Sequence, residues 1–111
     1  MINAEFAFNF ETFEASLIVK GHASFAEIGK DIVCASASIL TYTLADMMQD
    51  MYKRGWLEEY PVIRLEGGDA IVECKSKDKL AYTRVLDAYQ FTLAGFGLLA
   101  ENYPQNVNVK A

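Results

Sequence analysis

Histidine occurs once in this chain, at His22, and cysteine only twice, at Cys34 and Cys74. A closed zinc shell needs four ligands in a compact pattern, so this sparse set offers no metal site, and no cofactor is expected. Cysteines without a secretory context read as reduced thiols rather than a disulfide framework. Basic side chains are also few: 10 Lys and Arg face 15 Asp and Glu, for a net charge of -5. A phosphate-backbone binder needs a basic face to displace counterions, so direct nucleic-acid binding is not expected. A cationic protein partner, by contrast, suits an acidic surface. Long apolar runs are missing too. The longest apolar-plus-glycine stretch, Leu93 to Ala100, falls well short of the roughly 18 residues that a membrane span takes. Glu5 interrupts the N-terminal segment before any signal-like apolar region develops. No membrane association and a cytoplasmic location are the expectations.

What is present is a single domain's worth of core-forming sequence. A chain of 111 residues with 52% hydrophobic side chains is read as one domain, 1–111, able to bury roughly 60–70% of its unfolded surface. Phe6, Phe8 and Phe10 alternate with Ala7, Asn9 and Glu11, the period of a half-buried strand. After a turn near Glu11 and Thr12, Ala15, Leu17 and Val19 repeat that pattern up to Lys20, and the two runs predict an antiparallel hairpin. Asp31 precedes a run in which Val33, Ala37, Leu40, Leu44, Met47 and Met51 recur at steps of four and three, predicting a helix that ends near Gly55. Pro61 opens a second strand pair, Val62 to Glu66 and Ala70 to Lys75, joined by Gly67, Gly68 and Asp69. Asp78 then caps a helix whose stripe is Tyr82, Leu86, Tyr89, Leu93, Phe96, Ala100 and Tyr103, stopped by Pro104. Gly95 and Gly97 inside it imply close approach of another backbone, within the fold or across a dimer interface. Val107 and Val109 hint at a short C-terminal edge strand. The fold class is therefore α+β, a two-layer sandwich with two long helices packed on one face of a mostly antiparallel sheet, in the order ββαββα plus that short strand.

The chemistry concentrates between Gly21 and Ser38. His22 lies just past a strand end. Cys34 is the third residue of the helix that Asp31 caps, where free backbone N–H groups and the positive end of the helix dipole favour a thiolate. Asp31, Cys34 and Ser38 share a helix face, small and polar, that continues through Thr41 and Ala45. Gly21 and Gly29 bracket the loop between histidine and cysteine, which brings its ends together. Singly, a helical cysteine is usually a small hydrophobe and a histidine after a strand a surface group. Jointly they meet the requirements of an activated thiol: His22 as general base and acid, Cys34 as nucleophile, and Asp31 as helix cap or as orienter of His22. Backbone N–H groups around Cys34 would hold the oxyanion. Cys74 alternates with Val72 and Ala70 and reads as a small core residue. Phe25, Ile28 and Tyr42 are candidates for an apolar substrate pocket.

The run Gly21-His22-Ala23, the run from Gly29 to Ala35 and Ser38 together resemble the ribosomal-processing cysteine protease (Prp) family. Ser24, Phe25 and Ile28 stand where that family has Gly, Tyr and Tyr. The resemblance implies a cysteine endopeptidase that removes the N-terminal extension of a ribosomal large-subunit protein, number twenty-seven of the bacterial series, cutting after a phenylalanine. It implies a homodimer, with Gly21, Phe25, Ile28 and Ser38 at the substrate. Two other readings stay open: a related thiol hydrolase or protease acting on another precursor, for example a phage one, and a noncatalytic assembly or binding module in which Cys34 is inert.

Overall fold

The computed structural model describes residues 1–27 and 30–111. Its elements run β1 (Ile2–Asn9), β2 (Glu14–Lys20), α1 (Ile32–Lys53), β3 (Val62–Glu66), β4 (Asp69–Lys75), α2 (Lys79–Asn102) and β5 (Val107–Lys110). The strands form one sheet in the order β3-β4-β2-β1-β5. Every pairing is antiparallel except that of β5 with β1. The hinted C-terminal strand is thus real, and it lies at an edge.

Alternation fixes the buried face. Ile2, Ala4 and Phe6 of β1, Ala15, Leu17 and Val19 of β2, and Ala70, Val72 and Cys74 of β4 all point into the core. The registers bring Phe6 opposite Leu17, and Leu17 opposite Val72, so the three central strands present one continuous apolar surface. Both helices cover it. Helix α2 is pinned there by two phenols: the Tyr82 hydroxyl donates to the Glu14 carbonyl at 2.6 Å, and that of Tyr89 to the Val72 carbonyl at 2.8 Å. Each bond lets a large aromatic ring enter the core without stranding its polar end.

Three details of the helices differ from expectation, one being the stripe of α2, whose buried residues are Ala81, Tyr82, Val85, Ala88, Tyr89, Thr92 and Phe96, with Leu86, Leu93, Ala100 and Tyr103 half-buried. The buried stripe of α1 is Val33, Ala37, Thr41, Leu44, Ala45, Met48 and Met51, whereas Met47 is exposed and Leu40 half-buried. Thr41 is tolerated inside because its hydroxyl donates to the Ala37 carbonyl at 2.8 Å. The polar-looking face through Thr41 and Ala45 is therefore core, and Cys34 stands at its rim. In α2, Gly95 makes room for a side chain rather than a backbone, since a Cβ there would lie 2.6 Å from a methyl of Leu40 on α1. Nothing lies within 4 Å of a Cβ built at Gly97. Among the described residues no helix is long and apolar enough to cross a membrane.

Candidate active site

The site is assembled where β2 ends, the loop after it turns, and α1 begins. Gly21 has a φ of 93°, which glycine adopts freely, and a Cβ there would collide with the Met1 carbonyl oxygen. The turn lets the chain leave the sheet with Ala23 buried and His22 exposed. Ala23 then reaches the helix start: its N–H donates to Cys34 Sγ at 3.3 Å. The residue after the histidine is thereby held against the sulfur. No hydrogen bond joins His22 to Cys34 among the described residues; such contacts often tighten only when substrate is bound.

Asp31 organises both sides of the loop. Its Oδ1 accepts from the N–H groups of Val33 at 3.0 Å and Cys34 at 2.9 Å, a helix cap satisfying two of the orphan donors. Its Oδ2 accepts from Phe25 at 2.9 Å and Ala26 at 3.2 Å. Asp31, a buried residue, thus clasps the loop to the helix. The bond from the Cys34 N–H leads in holding its carboxyl below the usual 3.8; desolvation opposes, and the bonds from Ala26, Phe25 and Val33 add to the lowering. Both oxygens are engaged with backbone, and among the described residues none reaches His22.

The N–H groups around Cys34 that the sequence offers as oxyanion donors have acceptors of their own. The N–H groups of Val33 and Cys34 belong to Asp31 Oδ1, and that of Ala35 to the Asp31 carbonyl at 3.0 Å. The N–H aimed at the sulfur comes instead from Ala23, across the loop. Sequence spacing gave no sign of it, because the contact depends on how the loop folds back.

Of the other expected residues, Phe25 is exposed and packs edge-on against Tyr103 of the α2 C-cap, with ring centroids 5.3 Å apart. Ser38 is exposed one turn beyond Cys34 on α1, and Tyr42 a further turn along is exposed as well. Ile28 and Gly29 lie outside the described residues. Ser24 has a φ of 55°, a left-handed conformation that favours glycine. Among the described residues no three His, Cys, Asp or Glu side chains are grouped to hold a metal ion.

The second thiol has a different setting. Cys74 is buried against Met48, their sulfurs 3.6 Å apart, and desolvation pushes its thiol up to about 11. At pH 7.5 iodoacetamide is therefore expected to modify Cys34 at least about 100-fold faster than Cys74. Peptide mass mapping of a time course would show this; equal rates in the folded protein would contradict it.

Asp31→Ser keeps one oxygen for the helix cap and removes the acceptor of Phe25 and Ala26. Amide exchange at those two residues is expected to accelerate by about tenfold or more, with Val33 and Cys34 less affected. The pH dependence has a definite sign. Because the folded carboxyl sits below 3.8, its stabilisation is complete above that value and is lost as pH falls through the lower folded value. Acid titration of wild type against Asp31→Ser should show that this loss is confined to the wild type; identical acid profiles would count against the clasp.

The family model for cysteine protease Prp matches residues 1–108. The chain belongs to the Prp family and is a cysteine protease. The ribosomal processing protease Prp from S. aureus, solved with a covalently linked product peptide, is 26% identical, with 99% of this chain and 98% of that one covered at a TM-score of 0.75. The protein SMU.848 from Streptococcus mutans is 26% identical over 99% of this chain and 92% of that one, at a TM-score of 0.67. A hypothetical protein from Staphylococcus aureus, 19% identical with 99% and 98% coverage and a TM-score of 0.61, shares the fold. A search of curated proteins gave no match.

Proposed function

We propose that this protease removes the N-terminal extension of ribosomal large-subunit protein twenty-seven, cutting after an aromatic residue, with Cys34 and His22 as its catalytic pair. The observation that carries the reading is the placement of Cys34 in the first turn of α1 with the Ala23 N–H on its sulfur and His22 adjoining that donor. Support for the substrate comes from the relative described as a ribosomal processing protease with a covalently linked product peptide.

In this mechanism His22 takes the Sγ proton of Cys34, and the thiolate attacks the scissile carbonyl to form a C–S bond. The Ala23 N–H, which faces the sulfur, steadies the thiolate and then the oxyanion. The C–N bond breaks as His22 returns the proton to the leaving amine. Water then adds to the thioester, with His22 accepting its proton, and the new carboxylate and the Cys34 thiol are released. Asp31 acts through the loop, holding Phe25 and Ala26 against the helix start. Gly21 shapes the approach to His22, and Phe25 and Ser38 are the substrate-facing positions. The enzyme works as a cytoplasmic homodimer without cofactor.

The altered loop favours a second reading, a thiol protease acting on another protein precursor, for example a phage one. Ser24 holds a conformation suited to glycine, and Phe25 rests on Tyr103 without a hydroxyl of its own. A peptide panel separates the two. Selective cutting of the ribosomal extension after phenylalanine supports the first, and refusal of that peptide with turnover of others supports the second.

A further inference from the structure

We infer that Gly68 is the positioning residue for His22: its bare Cα forms the seat of the imidazole, and any side chain at position 68 displaces the ring. The inference rests on the reading of His22 as general base. It comes from the β3–β4 turn, which follows the histidine by more than forty positions and carries no titrating group on Gly67 or Gly68.

A Cβ built on Gly68 would lie 2.6 Å from His22 Nε2, 2.9 Å from Cε1 and 3.3 Å from Cδ2. The first two distances are ones that real Cβ atoms do not show. The ring thus covers the place that a side chain would take, with its Nε2–Cε1 edge nearest. The seat is fixed by backbone: the Gly21 N–H donates to the Gly68 carbonyl at 3.0 Å. Beside it Lys20 pairs with Asp69 across β2 and β4, and Glu66 with Asp69 across β3 and β4. The Asp69 carboxylate meets Lys20 at 3.7 Å and Arg64 at 3.1 Å. The loop that carries His22 and the turn that receives its ring are therefore tied directly to each other. A side chain on an exposed loop end has several rotamers, and a contact that removes some of them narrows the positions open to the imidazole.

Gly68 has a φ of 76°, so turn geometry alone also favours glycine. Gly55 provides the matched control. Its φ is 81°, and nothing lies within 4 Å of a Cβ built there. Gly55→Ala carries the same backbone strain without meeting His22.

Two measurements test the inference. Because His22 is the only histidine, its ring protons are unambiguous in the NMR spectrum of the unmodified protein. A nuclear Overhauser cross-peak from its Hε1 to the Gly68 Hα protons is expected, and its absence overturns the inference whether or not any variant folds. The second is the pH–rate profile of Cys34 alkylation by iodoacetamide in wild type, His22→Ala, Gly68→Ala and Gly55→Ala. Folded Gly68→Ala should reproduce the His22→Ala profile, with at least about a tenfold loss of rate at neutral pH, whereas Gly55→Ala keeps the wild-type profile. If His22→Ala changes the profile and folded Gly68→Ala does not, the Gly68 inference fails alone. If His22→Ala leaves the profile unchanged, the assignment of His22 fails and the inference falls with it.

Discussion

Replacing Cys34 by alanine is expected to lower cleavage of a peptide carrying the ribosomal extension by at least about 10³-fold, because the covalent route is then closed. Folding stability should change little. Cys34 is half-buried at the rim of the α1 stripe, and its sulfur accepts one long hydrogen bond, from Ala23 at 3.3 Å. His22→Ala should cost a comparable factor while leaving the fold intact, since its exposed side chain belongs to no buried cluster. The double variant should be scarcely worse than either single one, as residues acting as a unit do not add. Single-turnover assays beside thermal unfolding would check all three. Full cleavage by either single variant would remove the proposed pair from the mechanism.

Phe96→Ala should have the largest effect on stability. Phe96 is 0% exposed on α2 and packs edge-on against Phe6 of β1, with ring centroids 6.0 Å apart. It joins the helix layer to the sheet near the middle of the core. Truncating a buried phenylalanine removes its transfer free energy and leaves a cavity, together about 3–5 kcal/mol. That is a large fraction of the roughly 5–15 kcal/mol by which a domain is stable. Urea unfolding should show a lower midpoint with little change in slope. A loss below about 1 kcal/mol would mean that the site collapses around the missing ring. Residual activity per folded molecule should be preserved, which separates this defect from that of Cys34→Ala.

Much of the architecture is legible in the sequence because burial here obeys simple periods. Alternation through Phe6 and Phe8 and from Ala15 to Val19 locates the first hairpin, although Phe10 falls beyond the end of β1 and is exposed, and Asp31 and Asp78 mark both helix starts through the capping bonds that they make. The core face of α1 lies beside the stripe that periodicity predicts, which counts Thr41 as polar and Met47 as apolar. A hydroxyl bonded to its own helix and a small Ala45 close to the sheet reverse that ranking. Gly95 was legible as a close contact, but its partner, the Leu40 side chain, was not.

The site divides in the same way. Local spacing is enough to place His22, Asp31 and Cys34, because a cap and the first turn of a helix are set by neighbours in the chain. The second pair of bonds to Asp31, the Ala23 N–H on Sγ and the seat of His22 on Gly68 depend on loop closure or on a distant hairpin. No pattern in the sequence encodes those meetings. Gly67 and Gly68 read only as a turn, although the second also receives the imidazole.

The most direct test of the account is to trap the acyl-enzyme. Wild-type protein is mixed with the extension peptide, quenched in acid at successive times, digested with trypsin and weighed. The account predicts that the N-terminal product fragment is found as a thioester on the tryptic peptide 31–53, which holds Cys34 and lies between Lys30 and Lys53 at its ends. The adduct should form before free product accumulates and should be missing from Cys34→Ala. An adduct on the peptide that carries Cys74, or cleavage that persists in Cys34→Ala, would contradict it.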